Sequence, residues 1–327
     1  MAAQPVSEGD PAYSGSESLG VRNAHALEYD SARREVVLFG GADEAGVKGD
    51  LWAWDGASWT CLHANDSGPP ARTFPATAYD DSRGRLVLFG GNRVLFGRPE
   101  DTNTLLADTW EWDGRRWHRM ETPAPPARAE AAMAYDPVRR RTVLFGGYQR
   151  HADGSLERLS DTWEWDGQRW HELGASGPGA RSGAAMSFDP TQNRVVLFGG
   201  NGPRGDTWAW DGESWQRVVD PEAPGRYNSV MVFDPGRGAL VRFGGWDGEK
   251  RADGTWALEG GKWFRLAVSG PSARNHAAAA YDAMRGRWVL MGGHNGELVF
   301  GDIWEWDDQT WHNVRPTKGI RRVWNGH

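Results

Sequence analysis

Apolar residues in this chain come in short bursts. They read Val36-Val37-Leu38-Phe39, Leu86-Val87-Leu88-Phe89, Val143-Leu144-Phe145, Val195-Val196-Leu197-Phe198, Leu240-Val241 and Val289-Leu290-Met291. Each burst is continuous rather than alternating, the pattern of a strand covered on both faces. Each is soon followed by Gly-Gly. Upstream of it, a segment runs from an Arg to an aromatic-Asp pair and predicts another strand. Downstream, after a loop of variable length, two Trp stand at i and i+2, such as Trp110 and Trp112, on one face of a third strand. A further Trp, such as Trp117, marks a fourth. Asp-Gly pairs, such as Asp113-Gly114, supply the positive φ of a hairpin turn between the third and fourth strands. No helix of useful length is predicted.

The unit recurs six times. Its Arg markers are Arg22, Arg72, Arg128, Arg181, Arg226 and Arg274, at a period of 45 to 56 residues. The double glycines are Gly40-Gly41, Gly90-Gly91, Gly146-Gly147, Gly199-Gly200, Gly244-Gly245 and Gly292-Gly293. A four-stranded unit repeated six times predicts an all-β, six-bladed propeller with four antiparallel strands per blade. Blades are expected to start near 22, 72, 128, 181, 226 and 274 and to fill residues 22–314. Each copy looks whole, so closure is expected from blade 6 packing against blade 1. Residues 1–21 read as irregular chain, and 315–327 as a tail that adds a strand or a clasp.

The Gly-Gly, the later Trp and the period together resemble the kelch repeat over residues 22–314. That resemblance implies the propeller. It leaves function open, because one fold hosts many activities. Members of the family include cofactor-free enzymes as well as protein-binding adaptors.

Composition narrows the classes. The chain has 327 residues, 20 Trp, 44 Gly and one cysteine, Cys61. A single cysteine excludes an internal disulfide framework and a Cys-rich zinc site. A net charge of −7 argues against a nucleic-acid partner. No apolar run is long enough to span a bilayer, and the first ten residues carry no secretory pattern, so a cytoplasmic location is expected. Lys48, Lys250, Lys262 and Lys318 are the only lysines among 37 basic residues, a bias that points to a GC-rich bacterial source. No phosphate loop, HExxH, GxSxG or dinucleotide pattern is present.

A repeat separates scaffold from site. What every blade carries serves structure, and what differs between blades is free to serve a ligand. The Arg markers are therefore read as structural, tying loops between blades. His118, His171 and His312 each follow a fourth-strand Trp and are read as outer surface. At the mouth, the residue two after each Arg is expected beside the residue just after Gly-Gly. The pairs are Ala24 with Ala42, Phe74 with Asn92, Glu130 with Tyr148, Gly183 with Asn201, Asn228 with Trp246, and His276 with His294. No two are alike. With blade 3 opposite blade 6 and blade 2 opposite blade 5, Glu130 and Tyr148 would face the two imidazoles, and Phe74 would face Trp246. Blades 1 and 4 would leave room.

This ring reads as a cofactor-independent acid–base enzyme: a lyase, isomerase or cyclase acting on a small, partly apolar molecule. Glu130, His276 and His294 are its candidate acid and base, and Tyr148 is a donor. Phe74, Tyr227 and Trp246 form the walls. Asn92, Asn201, Asn228, Arg93 and Arg150 are further binding candidates. No cofactor is expected. The alternative is a divalent metal shared by His276 and His294, with His25 as a third ligand. The other functional reading is a non-catalytic peptide- or protein-binding scaffold. Its partner would meet the long blade 2 loop, which carries Val94, Leu95, Phe96, Arg98, Leu105 and Leu106 and is otherwise read as a lid.

Overall fold

The computed structural model describes residues 19–64, 68–95, 103–174, 176–201, 205–219, 226–266, 268–317 and 319–321. It is all-β: six four-stranded antiparallel sheets, each built from the strands of one repeat, with short two-stranded pairs in loops of blades 1, 3 and 6. Blade 1 runs Ala26–Asp30, Glu35–Phe39, Leu51–Trp54 and Trp59–His63. Blade 6 runs Ala278–Asp282, Arg287–Met291, Ile303–Trp306 and Trp311–Arg315. Among the described residues no strand of a four-stranded sheet is exchanged between blades. Closure combines main-chain bonds between blades 6 and 1 with packing: Val36, Leu38 and Trp52 of blade 1 share one core with Val289, Met291 and Ile303 of blade 6. Near the C-terminal end, Ile320–Arg321 pairs with Leu298–Val299 of blade 6 as a short clasp. No helix long and apolar enough to cross a membrane is found among the described residues.

The repeated residues have visible work. In blades 2 to 6 the fourth-strand Trp sets its ring edge against the second-strand Phe of the preceding blade, as Trp170 does on Phe89 at 5.3 Å. Its indole N–H then donates to a third-strand Thr of that blade. Trp170 to Thr109, Trp215 to Thr162, Trp263 to Thr207 and Trp311 to Thr255 all measure 2.9 Å. Leu51 and Ile303 stand where the other blades have that Thr. The Trp117 and Trp59 indole nitrogens that would reach them are buried without a partner.

The Arg markers act differently from the sequence expectation. Their guanidiniums tie each blade to itself, not to its neighbour. Arg22 reaches the Gly40 carbonyl at 2.9 Å and the Asp50 carboxylate at 2.7 and 3.0 Å. Arg72–Asp108, Arg128–Asp161, Arg181–Asp206 and Arg274–Asp302 repeat this forked pair. The tie between blades is the Arg main chain: its carbonyl accepts from the second Gly of the preceding blade, from Gly41–Arg72 round to Gly293–Arg22, each at about 2.9 Å.

Blade 5 breaks the pattern. Gly254 replaces the Asp, and Arg242 replaces the second-strand Leu. Arg242 is 1% exposed, with Nε and Nη2 unpartnered, and lies 4.3 Å from the Phe198 ring centre and 5.0 Å from that of Trp256.

Candidate functional site

The residue two after each Arg forms a collar around the axis. Ala24 donates its amide to His276, Phe74 to Ala24, Glu130 to Phe74, Gly183 to Glu130, Asn228 to Gly183 and His276 to Asn228, over 2.7 to 3.4 Å. Six blades are thereby joined head to tail. All six residues take a left-handed conformation, with φ from 50° to 62°. Five of them carry side chains, which makes that conformation costly.

This kink corrects the expected pairing. The residue one after each Arg, not two, bridges to the residue after Gly-Gly: Asn23 with Ala42, Thr73 with Asn92, Ala129 with Tyr148, Ser182 with Asn201, Tyr227 with Trp246 and Asn275 with His294. The left-handed residue interrupts strand alternation and withdraws from the ladder into the collar.

Among the described residues, neighbouring side chains fill parts of the expected mouth. Phe74 packs edge-on against His276, with centroids 4.9 Å apart, across the small Ala24. Asn228 Nδ2 reaches Glu130 Oε1 at 3.4 Å across Gly183, which has no side chain to block it. The room expected beside blades 1 and 4 is thus occupied by their neighbours. Above this layer, Leu95 and Leu105 of the blade 2 loop join Tyr148 in packing on Ala24, Phe74 and Ala129. Phe96 and Arg98 lie outside the described residues.

His276 and His294 do meet, with Nδ1 and Nε2 3.0 Å apart. They are 6% and 2% exposed. The Gly296 amide donates to His294 Nδ1 at 3.1 Å, which assigns the proton of His294 to Nε2. That proton is then donated to His276 Nδ1. The His276 lone pair is spent on that proton and the His294 lone pair on the Gly296 amide, so a metal held by both rings requires a different arrangement of protons. Among the described residues no group of three or more His, Cys, Asp or Glu is placed to hold a metal. His25 is buried against Gly41 and Gly292, and burial together with Arg22 lowers its pKa to about 3.

The remaining candidates scatter. Burial raises the Glu130 carboxyl, which Ser182 and Asn228 hydrogen-bond. Burial and Glu130 raise the hydroxyls of Tyr148 and Tyr227. Asn92 is buried, 3.5 Å from the Tyr148 hydroxyl. Asn201, Tyr227 and Trp246 line a separate cavity of about 220 Å³ between blades 4 and 5. There the Arg251 guanidinium covers the Trp246 ring at 4.6 Å, a contact between two residues five apart on one short loop that comparison of the repeats does not single out. Arg93 points to a lateral cleft of about 450 Å³ under the blade 2 loop. Arg150 clamps its own hairpin through the Gly154 carbonyl. His118, His171 and His312 sit on outer strands, each 2.7 Å from an Asp of its own turn.

The cavity that all six blades share lies at the opposite end. It is an axial well of about 350 Å³, ringed by the aromatic-Asp residues Tyr29, Tyr79, Tyr135, Phe188, Phe233 and Tyr281. Its walls come from the middle of the first strands and include Met133, Met186 and Met231. One position there differs sharply between blades: Glu28 matches Ala78, Ala134, Ser187, Val232 and Ala280. The Thr77 hydroxyl donates to Glu28 Oε1 at 2.9 Å, and burial raises the pKa of Glu28 to about 8. Comparing blades at mid-strand, rather than only at the loops, would have found this carboxyl.

Comparison with known proteins agrees with the architecture. The sequence profile of the KLHDC2/KLHL20/DRC7 Kelch-repeats domain matches residues 138–325. Dynein regulatory complex subunit 7 of Chlamydomonas reinhardtii is 29% identical over 39% of this chain and 11% of its own length. Mei4-dependent protein 6 of Schizosaccharomyces pombe is 21% identical over 56% of this chain and 29% of its own. The flagellar outer-arm dynein alpha chain of Chlamydomonas reinhardtii is 28% identical over 51% and 4%. The aligned stretches thus span less than a third of each relative.

Proposed function

The chain belongs to the KLHDC2/KLHL20/DRC7 Kelch-repeat family, and from that premise we propose that it is a non-catalytic scaffold that binds a partner protein, taking a segment of it into the axial well. The observation that carries this reading is the plug at the other end. Phe74, Leu95, Leu105 and Tyr148 cover the collar where an enzyme would need open space. The well is the open counterpart, apolar along its walls and built by every blade. Val138 and Met284, 61% and 62% exposed, stand on turns of this same face. One matched relative is named a dynein regulatory complex subunit and another a flagellar outer-arm dynein alpha chain, and a matched stretch that is a small part of a long chain suits an attachment role.

The test is a screen of displayed peptides against the purified protein, followed by two variants. Ala134→Trp adds bulk at a residue that lines the well and also packs in the core between blades 3 and 4; in protein shown to be folded it should abolish capture of the selected peptides. The double variant His276→Ala, His294→Ala should retain it. Capture that survives Ala134→Trp would overturn the placement.

A second reading keeps the acid–base enzyme acting on a small molecule. What favours it is the buried imidazole pair beside Phe74 and the raised carboxyl of Glu130. Turnover that vanishes in the double His variant while the fold persists would support it.

A further inference from the structure

We propose that the axial well receives a primary alkylammonium group, the end of a lysine side chain on the partner, with Glu28 as its counter-ion. This rests on the scaffold reading and adds the chemistry of the bound segment.

Charge supports it. The residues lining the well include two carboxyls, Glu28 inside and Asp81 at the rim, and no Lys, Arg or His. The turns around the well do carry arginines, yet these face outward. Arg83 is held by Asp80 and Glu111, Arg139 by Asp136 and Glu164, and Arg285 by Asp282 and Glu305. Arg33 is bound to Asp30 and the Asp113 carbonyl, and Arg237 to the Asp308 carbonyl. The lining of the well is therefore anionic; these five arginines of the surrounding turns are held by partners, while Arg34 lies near enough to the Tyr29 hydroxyl to act on its charge.

Shape and chemistry agree. Three methionines on adjacent blades offer flexible, polarizable walls to a methylene stem. At the bottom of that stem a single carboxyl, already oriented by Thr77, matches a compact ammonium. The flat fork of a guanidinium prefers two acceptor oxygens presented together. The groups that set the charge state of Glu28 are few. Burial and Asp81 favour its neutral form, Thr77 favours the carboxylate, and the other ionisable neighbours in the lining are the hydroxyls of Tyr29, Tyr79, Tyr135 and Tyr281. A cation in the well shifts the balance back to the carboxylate.

The experiment uses the full chain with ¹³C-methyl methionine, titrated with n-butylammonium chloride and, separately, n-butanol. Butylammonium should move the Met133, Met186 and Met231 methyl signals. Its affinity should rise about tenfold or more between pH 6.5 and 9, as Glu28 loses its proton while the amine keeps its own. Glu28→Gln should remove that pH dependence and weaken binding about tenfold; if that variant fails to fold, the wild-type pH dependence decides alone. Butanol binding as tightly as butylammonium at pH 9, or an affinity flat with pH, would overturn the proposal. Loss of peptide capture in Ala134→Trp together with flat butylammonium binding leaves the scaffold and removes the lysine. The reverse combination keeps the ammonium site and removes the scaffold placement.

Discussion

The Ala24 amide donates to the His276 carbonyl at 3.0 Å, and this bond turns six consecutive blades into a closed ring. Its cost is visible in the backbone, since both residues are left-handed, with φ of 56° and 57°. Ala24→Gly should therefore stabilise the protein by about 1 kcal/mol in urea unfolding, because glycine takes this conformation freely.

The same collar makes Gly183 intolerant of change. A Cβ there would meet Asn228 Oδ1 at 2.6 Å and Tyr227 Cδ2 at 2.7 Å. Gly183→Ala should destabilise by about 1–3 kcal/mol and part Asn228 from Glu130. An unchanged denaturation midpoint would refute the tight collar.

Two unpartnered indoles predict two gains. Leu51→Thr should give the Trp117 N–H an acceptor and stabilise by about 1 kcal/mol, as should Ile303→Thr for Trp59. The check is the unfolding midpoint against Thr109→Val, which removes the acceptor of Trp170 and should lose a similar amount.

Among the described residues, no carboxylate pairs with the buried Arg242 of blade 5. Arg242→Leu restores the residue found at this position in the other blades and should stabilise by about 1–4 kcal/mol. Arg181→Ala, which strands the buried Asp206, should cost about 3–5 kcal/mol. Calorimetry on the two variants reads both signs.

Much of this was legible in the sequence. Trp117, Gly40-Gly41 and Arg72 repeat because each blade packs on the next, so the strands and the blade count follow from periodicity alone. The pairing register was not legible. Counting from Arg72 assumes that alternation continues through Phe74, and the left-handed turn at Phe74 breaks it. The well that carries Glu28 was not singled out for a related reason. Loop variation drew attention to His276 and Glu130, while Glu28 sat inside a strand that otherwise reads as core.

Titration of Glu28 has a defined sign. Its pKa is near 8 in the fold, above the usual carboxylate value, so the folded state holds a proton that the unfolded chain has released. Stability from this group is fully present below about pH 4.5 and declines until the pH passes about 8. The melting temperature of Glu28→Gln minus that of wild type should climb from pH 5 to pH 9. His25 acts on the acid side, since its lowered pKa means that stability falls as the pH drops from about 6.5 towards 3. A difference curve flat across pH 5 to 9 would show that Glu28 is not buried as described.

The most direct test of the central claim, that partners enter by the axial well, is a methionine-methyl spectrum of the full chain with a peptide selected by display. Shifts confined to Met133, Met186 and Met231, with Met284 on the rim, are the predicted result. Shifts at Met120, under the blade 2 loop, with those four unmoved would place binding at the other end and contradict the account.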